Sequence, residues 1–425
     1  MAAWRGKPGF GPAQGNMRIL FVTQIVPYPP HGGVLQRGYN LLRELGRDHQ
    51  VHLLAFHHPD ELPPGPAVEQ SRAELGRFCS GVEYFELWPK KSSAHKLLGL
   101  CVAALHPKPF SVLAQRNRSL SQRIADICGG TTCPDVVHLD TIGLVPFAQS
   151  CGSVPIVLAH HNIESQLMQR RAEREGGLLQ RHYVRMQARR LRRYEAQECG
   201  KFALNITVSA ADATLLAEIC PGVRTVVVPN GVDTEYFQPR WGSETPALIF
   251  TGGMNMFANR DAVEWFLGSV WPIVKARVPG VRFYAVGQRP SPRVLEVAAR
   301  DPAVEAPGHV PDVRPWVEKA AIYVVPMRVG GGTRLKVVDA MAQGKAIVST
   351  TLGAEGIDGQ DGVHFVLADN PEAFAGRIME LLAEPERRRR LGEAARLLAE
   401  STYAWHALGA RLGDAYARVV AEHRR

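Results

Sequence analysis

The chain has 425 residues, of which 45% are hydrophobic and 21% charged, so it is long enough for two globular domains with substantial cores. Its formal net charge of +9 favours an anionic partner such as a nucleotide, a membrane surface or a nucleic acid. No apolar run approaches the roughly 20 residues that a membrane-spanning helix needs, and residues 1–16 lack the apolar core of a signal peptide. We therefore expect a cytoplasmic protein. Its 7 cysteines are irregularly spaced, which predicts reduced thiols rather than a disulfide framework or a zinc site.

The chain opens with residues 1–16, which are rich in glycine and proline and which we predict to form a disordered extension. Residues 18–23 and 50–56 are predicted strands with a helical pattern between them. Gly32 and Gly33 lie in the turn after the first strand, which in an open parallel sheet faces the ligand crevice. The turn lacks a G-x-G-x-x-G pattern, so a dinucleotide site is only weakly indicated. Alternatively, the two glycines only shape the turn.

Two stretches of the first half are strongly basic. One begins at Lys91 and ends at Arg118. The other, residues 166–200, is predicted to be one long helix whose arginines run from Arg170 to Arg193. One interpretation is a basic, partly apolar face that contacts an anionic membrane or a lipid-linked acceptor. The other is an ordinary set of helices with solvated faces. Aromatic residues for base stacking are sparse, so we expect no nucleic-acid partner.

Two adjacent histidines, His160 and His161, follow the predicted strand of residues 155–159. The carboxyl end of a parallel strand lies at the mouth of the ligand crevice, and histidine suits acid–base or hydrogen-bonding roles near neutral pH. Because neighbouring side chains at a strand end point in opposite directions, we expect only one of the two to act. Zinc binding is not expected, since no third ligand lies nearby in the sequence.

The alternation of strand and helix pauses at residues 234–246, which have no periodic pattern and which we predict to be a linker. It resumes with a strand at residues 247–251, followed by Gly253. Later in this half, Glu355 lies in a polar, glycine-containing loop. Strands that alternate with helices in both halves predict two parallel-sheet domains whose carboxyl edges face each other across a cleft.

The most informative stretch follows the apolar strand of residues 321–326. It predicts a glycine loop, a helix and a second strand, with two cations at the helix start. Helix N-termini bind anions, and glycines let a ligand approach the backbone closely, so this pattern indicates a diphosphate site. The alternative is a tight turn with solvated charges. The residues are Gly330, Gly331, Gly332, Thr333, Arg334 and Lys336.

Several separated stretches together resemble the family-4 type glycosyltransferases of the GT-B fold. Each match is short, but their order and spacing along the chain are specific. The matching stretches are the Gly32–Gly33 turn and residues 161–165, 209–212, 228–233, 250–253 and 330–344.

The resemblance implies a retaining, metal-independent hexosyltransferase, without a cofactor, that takes a sugar from a nucleotide sugar. It implies that His161 contacts the transferred sugar or its phosphate, that Gly32 and Gly33 back the diphosphate, and that Asp339 accepts hydrogen bonds from the ribose. Arg334 and Lys336 would neutralise the leaving group. The implied acceptor is a glycan or a lipid-linked molecule, in the assembly of cell-surface glycan or exopolysaccharide.

The implied domain boundaries are 17–233 for the acceptor-side domain, 247–400 for the donor-binding domain, and 401–425 for a helix that packs back on the first domain. The sequence departs from the family pattern of two glutamates, since Gly331 and Asp339 occupy those positions. The nearest cation to the loop after residue 253 is Arg260. Two alternatives stay open: a nucleotide-sugar epimerase of the same fold, and a non-catalytic relative that binds nucleotide.

Overall fold

The computed structural model describes residues 16–30, 33–86, 106–174, 177–240, 245–330 and 334–425. The predicted extension therefore lies almost wholly outside the described residues. So do Gly32 and much of the stretch that begins at Lys91. The chain divides into two compact units. The first comprises residues 1–229 and 405–425, and the second comprises residues 230–404.

The first unit is built on a parallel sheet of seven described strands in the order β3-β2-β1-β4-β5-β6-β7. The five central strands are mostly buried, as expected for a parallel sheet with helices on both faces, whereas the two edge strands are only partly buried. The order reverses between β1 and β4, so this pair is the topological switch point. The strands are β1 (Arg18–Thr23), β2 (Gln50–His57), β3 (Gly81–Glu86), β4 (Val136–Leu139), β5 (Ile156–Ala159), β6 (Leu204–Thr207) and β7 (Thr225–Val227).

Helices surround this sheet, and a final helix from the end of the chain joins them. The helices of the first unit are α1 (Gly33–Asp48), α2 (Pro66–Leu75), α3 (Phe110–Ala114), α4 (Arg118–Cys128), α5 (Glu164–Arg174), α6 (Leu178–Glu198), α7 (Ala210–Ile219) and α15 (Trp405–His423). A short 3-10 helix, Ile142–Ser150, follows β4.

The prediction of one long helix over residues 166–200 is wrong. The structure has two helices, α5 and α6, that pack on each other. Gly177 has extended backbone angles, φ −85° and ψ 125°, immediately before α6. Glycine pays a high entropic cost in a helix interior, so this position ends the helical run despite the continuous pattern of arginines.

The second unit repeats the design with six described strands in the order β10-β9-β8-β11-β12-β13. Every described ladder is again parallel, and the order reverses between β8 and β11. Phe250, Phe266, Phe283 and Phe374 fill its core. The strands are β8 (Thr245–Thr251), β9 (Arg282–Val286), β10 (Val304–Gly308), β11 (Ala320–Val325), β12 (Ala346–Ser349) and β13 (Val366–Leu367).

The helices of the second unit are α8 (Phe257–Trp265), α9 (Trp271–Arg277), α10 (Pro292–Arg300), α11 (Arg314–Lys319), α12 (Leu335–Ala342), α13 (Pro371–Ala383) and α14 (Pro385–Thr402). A π-helical segment, Phe266–Val270, joins α8 to α9. Among the described residues, none of these or the other helices is long and apolar enough to cross a membrane.

Candidate functional site

The switch point of the first unit carries a buried carboxylate that sequence analysis did not select. Asp140 follows β4 directly and is 2% exposed. Its Oδ2 lies 3.0 Å from Nε2 of His161, and its Oδ1 lies 3.4 Å from Nε2 of His138. Burial alone would raise the pKa of Asp140, but the two histidines outweigh it and hold that pKa well below its usual range. Asp140 is therefore a carboxylate at neutral pH and an acceptor for both rings.

His160 and His161 point to different environments, as their places at the end of a strand predict. His160 is buried and its Nε2 lies 2.9 Å from Oδ1 of Asn205 on β6. Burial lowers the pKa of His160 to about 4, so this ring is neutral. His161 instead turns to Asp140 at the carboxyl edge of the sheet. His160 is thus part of the fold, and His161 is the candidate for chemistry.

The glycine turn of the first unit is only partly described. Gly33 is the exposed first residue of α1, the helix that follows β1 in the chain. Gly32 lies outside the described residues. The role predicted for the pair, as a backing for a diphosphate, stays a prediction.

At the switch point of the second unit, Gly252 and Gly253 follow β8. Gly252 has φ 146°, a conformation that side-chain-bearing residues rarely adopt, and a Cβ there would lie 2.7 Å from Nζ of Lys336. A glycine is needed here because the ammonium of Lys336 passes against the backbone. Asn259 fixes this turn, since its Nδ2 donates to the carbonyl of Gly253 at 2.9 Å.

Lys336 lies in the first turn of α12 but does not extend into solvent. Its Nζ donates to Oδ1 of Asn259 at 2.6 Å and lies 4.0 Å from the ring centroid of Phe250. Burial, and then the charge of Arg334, lower the pKa of Lys336 to about 7. Desolvation of a half-buried ammonium costs free energy, and Lys336 has no carboxylate contact among the described residues to offset that cost. An anionic ligand beside Nζ would offset it.

Arg334 is the residue immediately before α12, and it is 8% exposed. Its Nη2 donates to the carbonyl of Leu352 at 3.2 Å and lies 3.8 Å from Oε2 of Glu355. Gly330, at φ 142°, allows this close packing because a Cβ there would lie 2.8 Å from the same nitrogen. The structure therefore brings Gly330, Arg334 and Glu355 together at the start of α12.

Asp339 lies one turn further along α12. Its Oδ1 is buried and has no hydrogen-bond partner among the described residues. Burial raises the pKa of Asp339 to about 8. A buried acceptor without a partner costs free energy, so a donor from a ligand would stabilise it.

The remaining predicted site residues, Gly331, Gly332 and Thr333, lie outside the described residues. Arg260 is the cation nearest in sequence to the glycine loop after β8. Its Cζ lies 5.6 Å from the ring centroid of Phe257. Within the described ranges, no group of three histidine, cysteine, aspartate or glutamate side chains is placed to hold a metal ion, and the six cysteines in these ranges are free thiols.

Asp140 and Asn259 were not predicted as site residues, although the position of each in the sequence could have indicated it. Asp140 directly follows a strand at the carboxyl edge, and Asn259 follows the glycine loop after β8. The fold places Asp140 next to His161 and Asn259 next to Lys336, and both of these neighbours were predicted site residues. Their importance depends on contacts across the sheet edge that sequence spacing does not show.

Two parallel-sheet units, each with polar side chains at the carboxyl edge of its switch point, define the class of GT-B glycosyltransferases. Residues 31–236 match the family described as Glycosyltransferase Family 4, and residues 245–384 match Glycosyl transferases group 1. The chain belongs to these glycosyltransferases, as its motifs indicated.

Solved structures share the fold at low sequence identity. Sucrose-phosphate synthase from Thermosynechococcus elongatus superposes with a TM-score of 0.71 at 15% identity, covering 95% of this chain and 100% of that one. HepE of Anabaena, in complex with UDP, gives 0.64 at 14% identity, with 95% and 100% covered. TarM of S. aureus gives 0.63 at 10% identity, with 94% and 99% covered.

One curated relative matches over part of its length. An uncharacterized 44.6 kDa protein in the cps region of Klebsiella pneumoniae is 26% identical over 139 residues. The match covers 31% of this chain and 36% of that protein, so it spans about a third of the relative.

Proposed function

We propose that this glycosyltransferase moves a hexosyl group from a nucleotide sugar to a glycan or lipid-linked acceptor, with retention of configuration at the sugar. The reaction would serve cell-surface or exopolysaccharide assembly. The protein would work in the cytoplasm, at the inner face of the membrane.

The observation that carries the proposal is the set of ionisable groups at the start of α12. Arg334 and Lys336 lie within one turn of a helix N-terminus, at the switch point of a parallel sheet. Free N–H groups, the helix dipole and two cations all favour a diphosphate at this place. When the bond between the sugar and the diphosphate breaks, the same charges stabilise the negative charge that develops on the leaving group.

Asp339 supplies the second half of donor recognition. Its Oδ1 is a buried acceptor without a partner in the described part of the chain. A ribose hydroxyl donates one hydrogen bond and would satisfy it. The HepE structures support a nucleotide donor by analogy, because they contain UDP and UDP-glucose.

His161 is proposed to contact the transferred sugar or its phosphate. The support is its position after β5 and its hydrogen bond to Asp140, which fixes the ring at the carboxyl edge of the sheet. The chain's own cations supply the positive charge that a metal provides in other transferases, so we propose a metal-independent reaction that needs no cofactor.

An anionic membrane is the proposed partner of the basic helices in the first unit. Leu178 and Leu179 at the start of α6 are 78% and 90% exposed. Arg174 ends α5, and Arg181 lies one turn into α6. Two exposed leucines between arginines suit insertion into the interface of a bilayer with anionic lipid. The arginines up to Arg193 and the basic residues up to Arg118 would extend this surface.

Vesicle co-sedimentation tests the membrane contact. The protein should bind vesicles that contain an anionic lipid and bind neutral vesicles weakly. A Leu178→Ser, Leu179→Ser variant should lose most of the binding, while Leu397→Ser, which changes a leucine of the second unit that is 67% exposed, should not. Equal binding of the double variant and the unchanged protein would remove this surface from the proposal.

A thermal-shift screen against a panel of nucleotide sugars tests donor binding, because a ligand that binds only the native state raises its stability. The donor that gives the largest shift is then radiolabelled and incubated with lipid-linked and glycan acceptors. Transfer to an acceptor supports the proposal. Conversion of the nucleotide sugar without an acceptor would indicate the epimerase, and binding without turnover would indicate the non-catalytic relative.

A further inference from the structure

A line of buried polar side chains runs from His161 to the last helix of the chain. Oδ2 of Asp140 lies 3.0 Å from Nε2 of His161, and Oδ1 lies 3.4 Å from Nε2 of His138. The other ring nitrogen of His138, Nδ1, lies 2.6 Å from the hydroxyl of Tyr416 on α15. His138, Asp140 and Tyr416 are each at most 2% exposed. A residue near the end of the chain is thus connected to the candidate histidine through two side chains.

The direction of each hydrogen bond follows from protonation. Burial raises the pKa of Tyr416 well above its usual value, so the phenol keeps its proton and donates to Nδ1 of His138. Burial also lowers the pKa of His138, so the ring is neutral. Because Nδ1 accepts, the single proton of His138 must lie on Nε2, which donates to Asp140. Asp140 then accepts from both sides, and the proton of His161 that faces it lies on Nε2.

Packing holds each member of this line in place. The ring of His138 stacks on Phe21 of β1, with centroids 4.0 Å apart and an interplanar angle of 15°. α15 lies so close to α1 that a Cβ at Gly409 would come 2.3 Å from Cβ of Glu44. α15, which packs closely on α1, therefore holds the phenol of Tyr416 against His138.

Arg37 of α1 is a buried cation that interacts electrostatically with Asp140 and Tyr416. It is 2% exposed, and its Nη1 donates to the carbonyl of Pro229 at 2.8 Å. Burial lowers the pKa of Arg37 to about 10, against the opposing effect of Asp140 and Tyr416, so it stays charged at neutral pH. A buried cation near Asp140 helps to keep the carboxylate ionised.

We propose that Tyr416, His138 and Asp140 are positioning residues that hold His161 as its Nε2–H tautomer, with Tyr416 fixing the tautomer of His138 at the start of the line. This inference rests on the proposed role of His161 in sugar transfer. Without the phenol, only the long contact of 3.4 Å between Nε2 and Oδ1 of Asp140 is left to favour the Nε2–H form of His138, so part of the population can carry the proton on Nδ1 instead. The Nε2 lone pair of His138 then faces the Asp140 carboxylate. The hydrogen bond that holds this carboxylate in place for His161 is lost.

Nitrogen-15 NMR of histidine-labelled, full-length protein tests the assignment. Spectra of His138→Gln and His161→Gln variants identify the two rings. In the unchanged protein both rings should show the Nε2–H tautomer, and in Tyr416→Phe the His138 ring should gain the Nδ1–H form. An unchanged His138 tautomer in Tyr416→Phe would overturn the proposal. The matched control is Tyr194→Phe, which changes another buried tyrosine of the first unit and should alter neither ring.

Kinetics separate positioning from a merely structural role. Tyr416→Phe should lower kcat about tenfold while the KM for the donor changes less than about twofold, because Arg334, Lys336 and Asp339, the proposed diphosphate and ribose contacts, are not part of this line of hydrogen bonds. Asp140→Asn, which removes one acceptor and the charge, should lower kcat about a hundredfold. Loss through misfolding would instead lower Tm and the active fraction. Unchanged kcat in both variants would contradict the positioning role.

The two readouts distinguish the ways in which this inference can fail. The NMR measurement needs no substrate. If the protein turns over no donor while the tautomers respond to Tyr416→Phe, the proposed function is wrong and the line of hydrogen bonds stands. If transfer occurs and the tautomers do not respond, the proposed function stands and the positioning role is wrong.

Discussion

At the switch point of the first unit, the buried carboxylate of Asp140 accepts hydrogen bonds from two histidines. At the switch point of the second unit, Oδ1 of Asp339 is buried without a partner among the described residues. Burial moves the pKa of Asp339 up to about 8, whereas the partners of Asp140 hold its pKa far below neutrality. The switch point of the first unit thus satisfies its buried carboxylate internally. The second unit keeps groups that a ligand would have to satisfy.

This difference assigns separate tasks to the two sites. A fully bonded network needs no ligand to form, so it is suited to holding His161 in one orientation. A half-buried ammonium, and a carboxyl whose Oδ1 has no partner within the described ranges, are costly in the free protein, so they are suited to gaining free energy when a ligand binds. Variants of the two sites should therefore fail differently, the first in turnover and the second in affinity.

The largest effect is expected from His161→Ala. Removing the imidazole that is hydrogen-bonded to Asp140 at the carboxyl edge of the sheet should lower transfer by about 10² to 10⁴-fold and leave the fold intact. Steady-state kinetics and circular dichroism measure the two quantities. The control is His406→Ala, an exposed histidine of the same unit, which should keep full activity. Full activity in His161→Ala would remove His161 from the site.

The next largest effect is expected in donor affinity. The double variant Arg334→Ala, Lys336→Ala should weaken nucleoside-diphosphate binding about a hundredfold, because two charged contacts of roughly 1.4 kcal/mol each are lost. Isothermal titration calorimetry measures the Kd. A matched variant, Arg282→Ala with Arg300→Ala, removes two surface cations of the same unit and should bind normally. Unchanged affinity in the first double variant would refute the diphosphate site.

Asp339→Asn should separate affinity from stability. Nucleotide binding should weaken about tenfold, because the amide offers the ribose one acceptor oxygen where a carboxylate offers two. Stability should rise, because the folded pKa of Asp339, about 8, lies above the unfolded value of roughly 3.9. Between these values the folded state binds more protons than the unfolded state, so the carboxyl makes stability fall as pH rises. The asparagine variant lacks this loss.

Thermal unfolding of the nucleotide-free protein at two pH values checks this sign. The gain in Tm of Asp339→Asn over the unchanged protein should be larger at pH 8 than at pH 5, by an amount equivalent to roughly 3 kcal/mol, because one pKa unit corresponds to about 1.4 kcal/mol. A gain that is equal at both pH values would show that Asp339 is ionised throughout.

The smallest effect is a pH dependence of nucleotide binding that comes from the titration of Lys336. It is best measured in Asp339→Asn, because residue 339 then no longer titrates over the same pH range. The pKa of Lys336 is about 7 in the free protein, and a bound diphosphate should raise it. Below pH 7 the ammonium is already largely charged, so the affinity for a nucleotide sugar, whose diphosphate diester does not titrate in this range, should be nearly constant. Above pH 7 binding requires proton uptake, so affinity should fall about fivefold from pH 7 to pH 8. Calorimetry in buffers of different ionisation enthalpy measures the uptake, and its absence would mean that the ligand does not contact Lys336.

Local patterns predicted the strands and the glycine loops well. The apolar run at residues 321–326 became β11, and the helical stripe after the glycines became α12. These elements depend on neighbours in sequence, which periodicity reports. The break at Gly177 was missed because the arginine pattern continues across it, and one glycine outweighs that pattern.

The contacts around the two sites could not be predicted in the same way. Tyr416 and His138 are 278 positions apart, and Lys336 and Asn259 are 77 apart. Neither pair shares a motif, and each is made adjacent by the order of strands and by a helix that returns to the first unit. The sequence placed His161, Arg334 and Lys336 among the candidates. It could not show that Lys336 is half-buried or that Asp140 is bonded to two rings.

The discontinuity of the first unit has a consequence for biosynthesis. The second unit is a continuous segment, residues 230–404, whereas the first needs residues 405–425 in addition to its own first 229. On the ribosome, every strand of both sheets emerges before Tyr416 is made. A stop codon before position 416 therefore yields a chain with the strands of both sheets but without Tyr416 and without part or all of the helix that packs on α1. Such a product would have a complete second unit beside an incomplete first unit.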